Sequence, residues 1–104
     1  MHNKVYHCVF SPLAEKDLDE IFEYISYELF APMAALRLID SIQAAVEDVC
    51  KLPFSRPLLK DRVLREKGYR LLVVKNFNLF YVVEERTVII RRVMYGRRNY
   101  ESLL

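Results

Sequence analysis

An α+β fold is predicted by three features of the sequence, taken in chain order. A short run rich in β-branched and aromatic residues opens it. Two apolar stripes at helical spacing follow, separated by a proline-containing break. Three more short β-type runs close it, joined by brief polar connections. The expected architecture is an N-terminal strand, then an antiparallel helical hairpin packed on a C-terminal three-stranded antiparallel meander. At 104 residues the expectation is one domain, 1–104, large enough to bury a core.

Residues 4–10, KVYHCVF, read as the first strand. Ser11-Pro12 marks a helix start: the serine side chain can cap free backbone N–H groups, and proline fits the first helical position. Glu15, Asp17, Asp19 and Glu20 crowd the first turns, where the helix dipole favours negative charge. Leu18, Ile21, Phe22, Ile25 and Leu29 recur at helical spacing, so the helix is expected to run to about Leu29 with this stripe in the core. Pro32 opens a second helix, in which Ala35, Leu38, Ile39, Ile42, Ala45, Val46 and Val49 repeat at three and four up to about Leu52, before Pro53. So short a connection makes the pair a hairpin.

Residues 53–67 have no clean period. With the preceding Lys51 they supply Arg56, Lys60, Arg62, Arg65 and Lys67, and read as a basic loop with room for one helical turn. Strands are expected at 69–74 (YRLLVV), 78–83 (NLFYVV) and 87–95 (TVIIRRVMY), with KNF and EER as hairpin connections that lack glycine. Helices on one face would leave the other face and the ends of the sheet for function.

Composition excludes several classes. Hydrophobic residues make up 53% of the chain, more than a disordered segment carries, and no run of eighteen apolar residues suggests a membrane span. The N-terminus lacks the basic, apolar and small-residue zones of a signal peptide, which makes the cytoplasm the expected compartment. Cys8 and Cys50 lie in apolar runs without ligand spacing and read as reduced, buried cysteines. His2 and His7 have no companions to complete a metal site, so no metal or cofactor is expected.

Net charge is only +2 but unevenly spread. Residues 1–50 carry three basic and nine acidic groups, whereas 51–104 carry thirteen basic and five acidic ones. A basic face for a polyanion or an acidic partner follows, unless the two halves simply neutralise each other in the fold. The stretch VIIRRVMYGRRNY, 88–100, concentrates the question. Alternation sets Val88, Ile90 and Met94 against Ile89, Val93 and Tyr95, with Arg92 in the first set and Arg91 in the second; period alone leaves open which set faces inward. An arginine on the inner face must snorkel out or find a carboxylate, and Asp17 and Glu20 are candidates. Arg97 and Arg98, with Arg70, Lys75 and the basic loop, could cradle phosphates through the planar guanidinium fork. Tyr69, Tyr81, Tyr95 and Tyr100 could add stacking surface. For cleavage of RNA the candidates for proton transfer are Tyr95, Tyr100 and Glu66, and a tyrosine with a pKa of about 10 is a poor base unless arginines lower it. No glycine-rich phosphate loop or nucleophile elbow is present.

Four segments in order, SPLAEKDLDEIFEYI, VCKLP, GYRLLVVKNFNLFYVV and VIIRRVMYGRR, resemble the RelE/ParE superfamily of toxins from bacterial type II toxin–antitoxin modules, across nearly the whole chain. The resemblance implies a toxin neutralised by a cognate antitoxin whose C-terminal segment wraps it, in a possible hetero-oligomer. ParE-like members poison DNA gyrase, and RelE-like members cut mRNA in the ribosomal A site. For a RelE-like activity the resemblance implies Arg70, Arg98 and Tyr100 as catalytic positions. Leu72 and Asn78 stand where RelE-like strands offer a lysine and an arginine, and the long helical hairpin is more similar to ParE-like chains. The expected function is therefore ParE-like binding of gyrase, with a ribosome-dependent endoribonuclease as the alternative and a non-toxic nucleic-acid-binding module as the second. Arg70, Lys75, Arg91, Arg92, Tyr95, Arg97 and Arg98 are the expected target-binding residues.

Overall fold

The computed structural model describes residues 5–96 and 103–104. Strand β1 (His7–Phe10) leads into helix α1 (Pro12–Glu23), followed by helix α2 (Pro32–Lys51), the short α3 (Arg62–Glu66), and strands β2 (Arg70–Val74), β3 (Phe77–Glu84) and β4 (Thr87–Tyr95). The last three form the expected meander. β1 joins it by pairing parallel to β4, which gives one four-stranded sheet in the order β1-β4-β3-β2.

Local chemistry explains the elements. The Ser11 hydroxyl accepts the Ala14 N–H at 3.2 Å, so α1 begins where the cap and Pro12 require. Its winding does not stop at Glu23. Residues Tyr24–Glu28 continue as a π-helical turn, in which the Leu29 N–H reaches back to the Tyr24 carbonyl at 3.1 Å. The helix thus extends about as far as its apolar period predicts, with a widened last turn that the period does not reveal. Phe30, at φ 51°, then reverses the chain, and Pro32 starts α2. Ala35, Leu38, Ile42, Val46 and Val49 of α2 are buried at the predicted spacing.

Both hairpin loops have two residues, Lys75-Asn76 and Glu85-Arg86, because Val74 pairs with Phe77 and Glu84 with Thr87. Lys75 and Glu85 take the left-handed conformation, at φ 54° and 56°, that such loops demand and glycine usually supplies.

The sheet has two apolar faces. Toward the helical hairpin, Leu72, Leu79, Tyr81, Val88, Ile90 and Val93 pack with Ala14, Leu38, Ile42, Val46 and Val49. The opposite face, expected to be free, is covered instead: Leu59, Leu64 and Tyr69 from the basic loop and α3 lie with Phe80, Val82 and Met94. Apolar residues spaced among charges had hidden this second layer. Neither of the two alternation sets in β4 survives intact. Phe80 pairs with Arg92 but Tyr81 with Ile90, so Arg91 is an extra, bulged residue. The bulge flips the alternation, uniting Val88 and Ile90 with Val93 on the helix side and Ile89 with Met94 on the other.

Candidate functional site

The bulge also separates the two adjacent arginines. Arg92 points to α1 and is held there by Asp17: Nε lies 2.8 Å from Oδ2 and Nη2 3.0 Å from Oδ1, a two-pronged pair with both side chains largely buried. The same Oδ2 accepts the Val93 N–H at 2.9 Å, and the Leu103 carbonyl takes Arg92 Nη1 at 3.3 Å. The hydrogen bond to Asp17, against the opposing effect of burial, raises the guanidinium pKa further. Asp17 was one of the two carboxylates expected for this role; Glu20 adds only a more distant charge. Arg91 is exposed, and its closest carboxylate is Glu84 at 3.9 Å, a surface pair of small energy. It lines a surface cavity of about 710 Å³ with Lys67, Tyr69, Glu84 and Arg92.

Arg70 sits elsewhere. On β2, two strands away from β4, it donates to the Arg56 carbonyl at 2.6 Å and weakly to that of Phe54 at 3.4 Å, with its guanidinium 5.2 Å from the centre of the Phe54 ring. The residue is thereby engaged in fastening the loop after α2. Tyr81 does likewise from the core: fully buried, it donates its hydroxyl to the Pro53 carbonyl at 2.8 Å. Burial pushes the Tyr81 phenol up, against the pull of Arg70 and Arg56, so it stays protonated. Tyr69 is buried too, which removes both rings from the stacking surface expected of them.

A third location gathers around the end of β4. Tyr95 is 61% exposed and sets its ring edge-on to Phe77, 5.3 Å between centres. Here the Lys75-Asn76 turn meets Gly96, whose N–H donates to the Asn76 carbonyl at 2.9 Å. The Asn78 amide donates to the Gly96 carbonyl at 2.8 Å. Asn78 thus ties down the point from which Arg97, Arg98 and Tyr100 depart, a role its lack of charge did not suggest. Those three expected site residues lie outside the described residues. Leu72, at 2% exposure, fills the helix-facing core. Glu66 lies on the surface of α3, paired with Arg62 at 3.2 Å.

The expected site is therefore dispersed: Arg70 on one edge of the sheet, Arg91 and Arg92 at the bulge, Lys75 and Tyr95 at the far turn. Sequence reasoning missed a groove of about 680 Å³ walled by Ile21, Tyr24, Ile25, Leu29, Phe77 and Tyr95, with Asp17 and Glu20 on its rim. Leu29, expected in the core, is 54% exposed there because the π turn carries it away from the sheet. The helical period did contain Ile21, Ile25 and Leu29; the first two pack against the core and Leu29 is exposed. Among the described residues no group of three or more metal-binding side chains occurs, and no helix is long and apolar enough to cross a membrane.

This arrangement of a helical hairpin on a mixed four-stranded sheet is shared by proteins of known structure. The chromosomal ParDE system from P. aeruginosa superposes with a TM-score of 0.75 at 20% identity, over 90% of this chain and 99% of the other. The toxin–antitoxin complex RelBE2 from Mycobacterium tuberculosis does so with a TM-score of 0.60 at 18% identity, over 88% of this chain and 98% of the other. No curated protein sequence matches the chain. The family model described as the ParE toxin of the type II toxin–antitoxin system parDE matches residues 8–100, and the chain belongs to that family.

Proposed function

We propose that the protein is a growth-inhibiting toxin that binds DNA gyrase without cutting nucleic acid and is neutralised by a cognate antitoxin. The observation that carries this reading is the state of the RelE-like positions. Leu72 is sealed in the core, Asn78 holds the Gly96 carbonyl, and Arg70 is engaged with the Arg56 and Phe54 carbonyls. Phosphodiester cleavage needs a base, an acid and charge stabilisation within reach of one phosphate, and these three residues supply no such cluster. Arg91, Lys75 and Tyr95 are the described candidates for meeting a target, joined by Arg97 and Arg98 beyond Gly96. The two structural relatives are a toxin–antitoxin system and a toxin–antitoxin complex, which supports an antitoxin partner here. An apolar segment of that partner suits the groove beside Tyr24 and Leu29.

The test is induction of the gene alone, with supercoiling and transcript integrity followed in parallel, and a supercoiling assay with purified gyrase. Gyrase inhibition with intact transcripts is expected. Codon-positioned mRNA cuts with unaffected gyrase would replace this reading with the endoribonuclease, and salt-sensitive nucleic-acid binding without growth arrest would replace it with a non-toxic binding module.

A further inference from the structure

Cys8 and Cys50, far apart in sequence, meet at the joint between β1 and the end of α2. The Cys50 thiol donates to the Tyr6 carbonyl at 3.1 Å, and the Cys8 thiol contacts the Val46 carbonyl at 3.6 Å. Tyr6 precedes Cys8 by two residues on one side of the extended chain, and Val46 precedes Cys50 by one helical turn. Each sulfur therefore lies against the element that carries the other, which brings the two side chains together at this joint. Both are free, and both are half-buried rather than sealed, so a small reagent can reach them. The expectation of two reduced, buried cysteines did not include this meeting, and both are only half-buried.

We propose that Cys8 and Cys50 are a disulfide-forming pair, oxidised by exchange with a low-molecular-weight disulfide of the glutathione class. One cysteine, as thiolate, attacks a sulfur of the small disulfide and expels one small thiolate, leaving a mixed disulfide on the protein. The second cysteine, as thiolate, attacks the protein sulfur of that mixed disulfide and expels the second small thiolate. The S–S bond of the reagent is reduced to two thiols, the two protein thiols become one intramolecular S–S bond, and their protons pass through solvent to the departing thiolates. Burial, together with the proximity of Cys50, pushes the Cys8 thiol up to about 12, which slows the exchange at neutral pH. Once formed, the bond staples β1 to α2 and closes a loop of about 40 residues, a length at which a cross-link strongly restricts the unfolded chain. The proposal is independent of the target of the toxin.

The native chain is incubated with oxidised glutathione at about pH 8.5, then analysed without reduction by intact mass and peptide mapping. The expected product is a monomer lighter by two hydrogens, with the Cys8 and Cys50 peptides linked. Dithiothreitol should reverse it, and the thermal midpoint should rise by about 10 °C. The Cys8→Ala variant should stop at a glutathione adduct on Cys50. The proposal is overturned if the native chain keeps both thiols free while the urea-unfolded chain reacts. It is equally overturned if glutathione adducts persist unresolved, or if the cross-link joins two chains.

Discussion

The two halves of β4 are held by different physics. Thr87 to Ile90 run between β1 and β3, with backbone partners on both sides and the buried Val88 and Ile90 packed on the hairpin. After Ile90, β1 turns into α1 and its backbone ladder ends. From Arg91 to Tyr95 the same edge of β4 is served by side chains: the Ser11 hydroxyl donates to the Arg91 carbonyl at 2.9 Å, and Asp17 takes the Val93 N–H along with Arg92. The bulge lies at the junction. A helix can therefore do the work of a missing strand, provided its first turns carry a hydroxyl and a carboxylate at the right spacing. Its partners are then specific polar atoms, where the first half of the strand relies on area.

Removing atoms from the first half should have the largest effect. Ile90→Ala empties a fully buried site and is expected to destabilise the fold by about 4 kcal/mol through lost transfer energy and a residual cavity. Urea unfolding followed by circular dichroism should show a lower midpoint with an unchanged slope. In the second half, Asp17→Ala strands the largely buried Arg92 guanidinium and the Val93 N–H together. The expected loss is about 3 kcal/mol. Asp17→Asn should recover part of it, because an amide oxygen can still accept one of these bonds. If Asp17→Ala unfolds at the wild-type midpoint, the polar clamp contributes nothing and the comparison between the halves fails.

This division shows what was legible in the sequence. Helix α2 and the meander could be read because period, prolines and strand composition agree. The pairing of Asp17 with an arginine of β4 was also foreseeable, since an arginine of this strand that is largely removed from water must find a carboxylate. Which arginine it would be was not, because one bulged residue reverses every later side chain and no glycine marks the bulge. Dispersal of the candidate site follows from the same cause. Arg70, Lys75 and Arg91 were all expected to meet one target, but their positions in space depend on register and strand order, and Arg70 is engaged by the Arg56 and Phe54 carbonyls. Leu59 and Leu64 were unreadable for another reason: a buried layer built from a loop has no period to detect.

Ser11→Ala is the smaller test of the clamp. It removes the cap of α1 and the bond to the Arg91 carbonyl, while leaving Asp17, Arg92 and the Ser11 N–H bond to the Ile90 carbonyl in place. A loss of about 1 kcal/mol is expected, measured again by urea midpoint. Combined with Asp17→Ala the two losses should fall short of their sum, because both side chains pin the same short segment of β4 to α1. Strict additivity would mean that the hydroxyl and the carboxylate act independently and that the helix does not serve the edge as a unit.

The smallest expected effect on stability is also the sharpest separation of folding from function. Arg91 is exposed and its nearest carboxylate is 3.9 Å away, so Arg91→Ala should move the urea midpoint by less than about 0.5 kcal/mol. Its neighbour in sequence behaves oppositely: Arg92→Ala would leave Asp17 without its two-pronged partner and destabilise the protein. If the gyrase reading holds and the target meets the surface around the bulge, Arg91→Ala should lower gyrase inhibition at least about tenfold while the chain unfolds as the wild type does, a free-energy change of about 1.4 kcal/mol in binding. Full inhibition by Arg91→Ala would move the contact away from the bulge, to the turn where Lys75 and Tyr95 meet Gly96. The fold places one surface at the middle of β4 and the other at its C-terminal end, so the two outcomes distinguish one surface from the other.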